Sequence, residues 1–285
     1  MNEMIEIAVK AAIKAGDVIL EIYARDFEIK FKADTSPLTE ADEAAHEVIV
    51  HALQTTPYPV LSEESKAIDY EERKSWDTYW LVDPIDGTKE FIKKNGEFTV
   101  NIALIDQGVP VLGVVYVPVE DALYCGRSEG GARSSNAWKT VGCRNKSYEE
   151  ILEDAVALSI SNYSSSTHRP LRVVASKSHC NEETLTFIAE LEEEYGEAER
   201  VSRGSSLKLC MVAEGRADIY PRIALTCEWD TAAAQAVVTA AGGRVFEYRE
   251  GSTAAEYKTG SQTVSEVPYN KENLLNPFFV VSGLQ

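Results

Sequence analysis

The chain has 285 residues, enough for one or two domains with a substantial buried core. Hydrophobic residues make up 44% and charged residues 26% of it, as in ordinary globular proteins. Lys and Arg number 28 against 46 Asp and Glu, and the net charge of −18 argues against binding to nucleic-acid polymers or acidic membranes. An anionic substrate would therefore need a local positive centre, for which bound cations are the obvious source.

Membrane insertion and disulfide formation are both unexpected. No apolar run approaches the length of a membrane span, and Met1-Asn2-Glu3 is not expected to open a signal peptide. The five cysteines are scattered, with neither a CxxC pair nor zinc-site spacing, and an odd number of such thiols favours a reducing compartment. We therefore expect a cytoplasmic protein, with peripheral association at the inner membrane left open.

The apolar pattern predicts two halves that combine helices and strands. In the first half it predicts a helix over 3–24, a strand over 28–32, a helix through 45–53, strands at 60–61 and 79–82, a hairpin of 98–105 and 111–117, and a strand at 123–125. The second half alternates strands and helices over 171–175, 182–195, 200–201, 206–213, 217–220, 231–241 and 244–246, and closes with a strand over 278–281. Residues 126–168 are predicted to separate the halves, and 248–268 to form a surface loop.

The stretch from 79 to 91 contains the most informative pattern. Tyr79 to Val82 is predicted to be a strand buried on both faces, and it is followed by two carboxylates, Asp83 and Asp86. Pro84 cannot extend a hydrogen-bonded ladder, so we expect the chain to turn there. The two carboxylates are then held together at the end of a buried strand.

This turn suits a hard cation. The Ile85 carbonyl lies between the two carboxylates, and Gly87 permits a tight bend after them. Carboxylates, carbonyls and waters are the ligands that Mg²⁺ prefers. Taken alone, the stretch is more typical of a turn in which Asp86 caps a short helix beginning at Thr88, so the metal interpretation depends on further carboxylates elsewhere in the chain.

Three other acidic residues stand at the ends of predicted elements. Thr39 and Asp42 form an [ST]-x-x-[DE] box that predicts a helix N-cap, and that position would also direct Asp42 at a metal-bound water. Glu63 follows a short strand and is either solvated or a third metal carboxylate. Asp230 precedes a helix and is either its N-cap or a further ligand.

Together these residues resemble the inositol monophosphatase superfamily of Mg²⁺-dependent, lithium-sensitive phosphatases. Four ordered segments carry the resemblance: SPLTEAD at 36–42, LSEES at 61–65, DPIDGT at 83–88 and WDTAA at 229–233. Within the superfamily, the bacterial 3′(2′),5′-bisphosphate nucleotidase branch is most similar. That likeness rests on residues 86–91, 172–179, 204–208, 212–222 and 273–281.

The resemblance implies a layered αβαβα sandwich and a role in sulfur metabolism. It implies one catalytic domain over residues 1–285, with a metal-binding α+β half of about 1–140 and an α/β half of about 168–285 that supplies substrate contacts and the last metal ligand. The implied reaction removes the 3′-phosphate of adenosine 3′,5′-bisphosphate (PAP), with its sulfated relative PAPS as a second substrate. The chain departs from the compact bacterial pattern by extra residues in 126–168 and 248–268. We expect a monomer or homodimer.

Site residues follow from the same resemblance. The metal ligands, for about two to three Mg²⁺ ions, would be Glu63, Asp83, the Ile85 carbonyl, Asp86 and Asp230. The catalytic residues that activate water would be Asp42, Thr88 and Glu63. The substrate contacts would be Gly87, Thr88, Gly204, Ser205, Ser206, Lys208, Arg222 and Asp230.

Alternatives remain open for several of these residues and for the activity. Ser205 and Ser206 are equally typical of helix caps, and a lysine such as Lys208 is more often solvated. Trp229 is expected to pack in the core rather than stack on a base. Inositol monophosphatase, sugar bisphosphatase and a catalytically silent nucleotide or Mg²⁺ sensor are the rival functions. Arg222 favours a bisphosphate, because inositol-specific relatives tend to carry an acidic residue there.

Overall fold

A computed structural model describes residues 1–31, 37–65, 67–128, 136–160, 163, 169–175, 180–259 and 261–284. Its helices are α1 (Asn2–Tyr23), α2 (Glu40–Leu53), α3 (Tyr70–Arg73), α4 (Thr88–Ile92), α5 (Tyr148–Glu153), α6 (Glu182–Tyr195), α7 (Leu207–Ala213) and α8 (Glu228–Ala240), with a 3₁₀ turn at Ala254–Tyr257. Its strands in the first half are β1 (Ile29–Phe31), β2 (Pro37–Thr39), β3 (Val60–Ser62), β4 (Thr78–Asp86), β5 (Thr99–Asp106), β6 (Val109–Val117), β7 (Ala122–Arg127), β8 (Ala137–Val141) and β9 (Val156–Ala157). Those in the second half are β10 (Leu171–Val174), β11 (Ala198–Val201), β12 (Ile219–Arg222), β13 (Arg244–Glu247) and β14 (Phe279–Ser282).

Two large sheets organise these elements. The first has seven strands in the order β3-β4-β5-β6-β7-β8-β9, antiparallel except for the parallel pair β3 and β4. The second has five strands in the order β11-β10-β12-β14-β13, with β10 parallel to both of its neighbours. A small antiparallel pair, β1 and β2, leads into α2. Each large sheet has two faces to cover, so helices must pack on both sides.

Three layers of helices cover those faces, so the helices and the two sheets together form five layers. α1 and α2 pack on one face of the first sheet, where the core includes Trp80 and Ile102. α7 and α8 lie between the two sheets, in a core that joins Tyr79 to Phe279. α6 and the 3₁₀ turn cover the outer face of the second sheet around Phe246. This αβαβα sandwich confirms the predicted fold class.

Most predicted elements lie where the apolar spacing placed them. α1, α2 and α6 are confirmed, and β5 and β6 form the predicted hairpin. Residues 126–168 are predicted to separate the two halves, but β8 and β9 within this range extend the first sheet. Both strands are too short to be recognised from apolar spacing. In the described part of the chain, no helix is long and apolar enough to cross a membrane. Among the described residues, which include all five cysteines, no disulfide is present.

Two expectations need correction. β4 does not stop at Pro84 but continues to Asp86, and its pairing with β5 shifts register between Asp83 and Asp86. Proline is tolerated inside a strand at such an irregularity, because no ladder hydrogen bond is needed there. Residues 248–268 are not only a surface loop, since Tyr257 and Val264 are buried against the second sheet.

The approach of α8 to the first sheet depends on two glycines. A Cβ at Gly113 would lie 2.0 Å from the Ala233 carbonyl oxygen, and one at Gly126 would lie 2.4 Å from the Val237 Cα. No side chain fits between β6, β7 and the helix. The position of α8, and of Asp230 in its first turn, is therefore set by backbone contact.

Gly113→Ala is expected to destabilise the protein by about 3 kcal/mol, the upper end of typical overpacking costs. The added methyl group can be accommodated only if the α8 backbone moves, because its nearest neighbour is the Ala233 carbonyl oxygen. Urea denaturation of the variant and the wild type measures the difference. An unchanged midpoint would contradict the close packing.

Candidate active site

An acidic cluster lies where β3, β4 and α8 meet. β3 and β4 run parallel in register from Val60 opposite Trp80, so the carboxylates that follow them emerge at one end of the sheet. Asp83, Asp86 and Asp230 each present an oxygen within 4.8 Å of the others. Glu63 lies close enough to contribute to the raised pKa of Asp83, although it is not one of the three residues within that distance. The predicted metal carboxylates are thus adjacent in space.

These carboxylates are crowded and poorly solvated. Burial, and then the neighbouring Glu63 and Asp86, hold the pKa of Asp83 well above its usual range. Burial and the charge of Asp86 raise the pKa of Asp230 to about 8. The pKa of Asp86 is also raised by burial, against the opposing effect of Lys208. Clustered carboxylates that repel each other in this way favour uptake of a cation.

The first turn of α8 positions Asp230. The helix begins at Glu228, and Cys227 is its N-cap, so Asp230 is not the N-cap residue that the sequence allowed. It stands at the third helical position, where Oδ2 accepts a hydrogen bond from the Cys227 N–H at 2.8 Å. Trp229 packs against the core, as expected.

Asp42 and Thr88 lie beside the cluster. Asp42 is buried, and its Oδ2 accepts hydrogen bonds from both the N–H and the hydroxyl of Thr39, which confirms the predicted capping box. Its Oδ1 lies 3.5 Å from the Thr88 Oγ1, which also lies 3.3 Å from the Ile85 carbonyl oxygen. The N-cap and a role beside the cluster are therefore compatible. Gly87, with φ of 93°, makes the left-handed bend that begins α4.

A cavity of about 500 Å³ opens beside the acidic cluster. Its wall includes all but one of the predicted substrate residues: Gly87, Gly204, Ser205, Ser206, Lys208, Arg222 and Asp230, with Thr88 the exception. Lys208 is partly buried rather than a solvated surface residue. Burial and the neighbouring Arg222 lower its pKa, while Asp86 opposes the shift. A polar cavity thus joins an anionic site to basic side chains, among them Lys208 and Arg222.

Two polar residues of the site were not predicted. Thr99 and Asn101 are buried on β5 and hydrogen-bond Ser205 and Ser206 at the cavity wall. Ser206 occupies the N-cap position of α7, yet its side chain makes no capping hydrogen bond. The available signal in the sequence was a pair of polar residues, two positions apart, in a largely apolar strand.

Position 36 and positions 176–179, which belong to the motifs described above, lie outside the described residues.

Sequence comparison identifies the family. Residues 1–278 match the Inositol monophosphatase family. The chain belongs to the inositol monophosphatase family. This match includes the whole first sheet, four of the five strands of the second and every residue of the acidic cluster, so it rests on far more than one motif.

Relatives within the inositol monophosphatase family carry a more specific name. The chain is 44% identical over 283 residues to the 3′(2′),5′-bisphosphate nucleotidase CysQ of Salmonella typhimurium, covering 98% of this chain and 99% of the relative. It is 43% identical to CysQ of Escherichia coli K12 over the same length. The crystal structure of CysQ from Bacteroides thetaiotaomicron aligns with a TM-score of 0.78 and 47% identity, over 97% of this chain and 95% of that one. An inositol monophosphatase of Thermotoga maritima, at 19% identity and a TM-score of 0.66, shares the fold.

Proposed function

We propose that this chain is a Mg²⁺-dependent 3′(2′),5′-bisphosphate nucleotidase. It removes the 3′-phosphate of PAP to leave AMP, and accepts PAPS as a second substrate. The observation that carries the proposal is the cavity that joins the acidic cluster to Lys208 and Arg222. Such a cavity suits a substrate with one reacting and one non-reacting phosphate. The extensive identity to proteins named CysQ supports the same activity, for which we expect a cytoplasmic location.

The donor set of the cluster fits Mg²⁺. Three carboxylates within 4.8 Å of one another, without a basic side chain among them, suit a hard divalent cation better than a soft one. The residues that would hold the ions are Glu63, Asp83, Asp86, Asp230 and the Ile85 carbonyl. Bound Mg²⁺ supplies charge neutralisation on the phosphate and lowers the pKa of the attacking water.

Asp42 and Thr88 orient and deprotonate that water. Asp42 Oδ2 accepts two hydrogen bonds from Thr39, and Oδ1 is the oxygen that faces the Thr88 hydroxyl and can accept its proton. The Thr88 oxygen can then accept a hydrogen bond from water, and a proton can pass through the hydroxyl to Asp42. The 3.5 Å separation is long, as is common for catalytic hydrogen bonds before substrate binds. Glu63, at the edge of the cluster, contributes to the same activation.

The part of the cavity wall that carries Lys208 and Arg222 binds the non-reacting phosphate. Burial lowers the pKa of Lys208 and the positive charge of Arg222 adds to the shift, so a bound anion would favour the charged form of the lysine. From the loop of Gly204 to Ser206, the phosphate can contact Gly204 and Ser205, because the Ser206 N–H and hydroxyl are donated to Asp86 and Asn101. In a protein of net charge −18, a distant phosphate requires such a local positive site.

Phosphate release from a substrate panel tests this function. The purified protein with Mg²⁺ is offered PAP, 3′-AMP, inositol 1-phosphate and fructose 1,6-bisphosphate, and kcat/KM is measured for each. We expect PAP to be preferred. Faster turnover of inositol 1-phosphate would identify an inositol monophosphatase instead, and no turnover of any compound would favour a silent binding protein.

Thr88→Ala is expected to lower kcat by about 100-fold, the lower range for loss of general base assistance. Mg²⁺ affinity should change little, because the hydroxyl orients water rather than holding the metal. Thr88→Ser, which keeps the hydroxyl, is the matched control and should retain most of the activity. Collapse of Mg²⁺ affinity with kcat intact at saturating metal would show that Thr88 is a ligand instead. Asp42→Asn is a less clean test, since it also disturbs the α2 cap.

A further inference from the structure

Two polar side chains lie buried on one face of an apolar strand. Thr99 and Asn101, at the start of β5, are 0% and 1% exposed. Residues two apart in a strand face the same side, so both point in one direction. Buried polar groups in a strand lower stability unless each is hydrogen-bonded. Their partners therefore indicate what the pair contributes.

Their partners belong to the second half of the chain. Thr99 Oγ1 lies 2.9 Å from Ser205 Oγ and 2.8 Å from Ser206 Oγ. Asn101 Oδ1 accepts hydrogen bonds from Thr99 Oγ1 at 3.1 Å and from Ser206 Oγ at 3.0 Å. Thr99 and Ser206 each have one hydroxyl proton, and both donate it to Asn101 Oδ1, so the hydroxyl that donates to Thr99 is that of Ser205. Valine has the same shape as threonine but can make none of these hydrogen bonds.

The same network ends on a carboxylate of the acidic cluster. Asp86 Oδ2 accepts hydrogen bonds from the Ser206 N–H and, at 3.5 Å, from Asn101 Nδ2. With two protein donors on Oδ2, the orientation of the Asp86 carboxylate is restrained.

The backbone around this network is closely packed. A Cβ at Gly204 would lie 2.8 Å from the Glu97 carbonyl oxygen, just before β5. A Cβ at Gly87 would lie 3.1 Å from Ser205 Cβ. The loop of Gly204 to Ser206 therefore cannot shift without moving the groups around Asp86.

We propose that Thr99 and Asn101 are positioning residues that couple cation binding to the substrate loop. They hold the Asp86 carboxylate and the loop of Gly204 to Ser206 in one hydrogen-bonded unit, so that disturbing the loop weakens cation binding. The inference rests on the proposed function only in taking Asp86 as a Mg²⁺ ligand. A purely structural role would stabilise the fold without affecting the metal.

The test measures the Mg²⁺ dissociation constant by isothermal titration calorimetry without substrate, together with the thermal unfolding midpoint. Thr99→Val is expected to weaken Mg²⁺ binding by about 10-fold, as loss of groups that orient metal ligands typically does. Thr99→Ser should restore it. Thr140→Val is the matched control, because Thr140 is buried on β8 outside the cavity wall and its hydroxyl bonds the Ile151 carbonyl. That variant should lose stability and keep its Mg²⁺ affinity.

A second variant keeps the test decisive if Thr99→Val does not fold. Ser205→Ala, at the partly exposed cavity wall, removes the same connection and should also weaken Mg²⁺ binding by about 10-fold. If Thr99→Val does fold, the Thr99→Val, Ser205→Ala double variant should weaken Mg²⁺ binding by less than the two single effects combined, since both changes interrupt one network.

Distinct outcomes separate this inference from the proposed function. Wild-type Mg²⁺ affinity in both Thr99→Val and Ser205→Ala, or equal weakening in Thr140→Val, would overturn the inference. Wild-type protein that binds Mg²⁺ but does not hydrolyse PAP would refute the proposed function, whereas the Thr99→Val comparison would still support or overturn the coupling.

Discussion

Asp83→Asn is expected to lower phosphatase activity at least about 1000-fold while the protein still folds. Asp83 is one of three mutually close carboxylates. A bound metal stabilises transition-state charge by several kcal/mol, and each loss of about 1.4 kcal/mol lowers the rate about tenfold. Asparagine keeps the oxygen that accepts the Ile85 N–H at 3.1 Å, so the local backbone is preserved. The measurement is kcat/KM for PAP at saturating Mg²⁺.

The same variant should raise the stability of the metal-free protein in a pH-dependent way. The raised pKa of Asp83 means that the folded state holds a proton that the unfolded state has released. Stability is then lost as pH rises above the ordinary carboxyl pKa of about 4. Asparagine does not ionise, so the Tm gain over wild type should be small near pH 5 and larger near pH 8. Thermal unfolding in chelator at both pH values measures it.

Asp106→Asn is the matched control for both effects. Asp106 ends the same strand β5 that borders the cluster, and its Oδ1 accepts the Thr78 hydroxyl at 2.7 Å, outside the cavity wall. Its activity should remain near that of wild type. Turnover of Asp83→Asn close to the wild-type rate at saturating Mg²⁺ would remove Asp83 from the proposed ligands.

Arg222→Ala and Lys208→Ala should each reduce the preference for PAP over 3′-AMP by about 10-fold. A hydrogen bond to a charged group is worth about 1.5–3 kcal/mol, and the non-reacting phosphate is present only in PAP. Binding energy at that phosphate also helps to hold the reacting one in line. The ratio of kcat/KM values is the right quantity, because Lys208 lies near Asp86 and a loss of metal would affect both substrates.

Arg216→Ala controls for loss of positive charge. Arg216 is exposed and outside the cavity wall, so the preference for PAP should not change in this variant. If the PAP to 3′-AMP ratio is unchanged in a Lys208→Ala, Arg222→Ala double variant, the second phosphate binds elsewhere. The proposed metal chemistry would survive that result.

The order of elements and the acidic cluster were predictable from local patterns. Asp83 and Asp86 follow an apolar run, and Glu63 follows a shorter one. Parallel pairing of β3 with β4 then brings these carboxylates to the same end of the sheet. Asp230 could be assigned as a metal ligand only through the family resemblance, because an acidic residue in the first turn of a helix is typical of capping alone.

Features set by tertiary contacts were not predictable. The continuation of β4 across Pro84 depends on a register shift with β5, which is a property of the pair of strands. The burial of Tyr257 depends on the outer face of the second sheet. Thr99 and Asn101 appeared in the sequence only as interruptions of an apolar strand, since their partners lie more than a hundred residues away.

The identity of the product formed from PAP tests the central claim most directly. The wild-type protein is incubated with PAP and Mg²⁺, and the nucleotide product is separated and identified by phosphorus NMR. With the reacting phosphate at the acidic cluster and the other beside Lys208 and Arg222, we predict that the 3′-phosphate is released and that 5′-AMP is the product. Formation of 3′-AMP, or no release of phosphate at saturating Mg²⁺, would contradict this account.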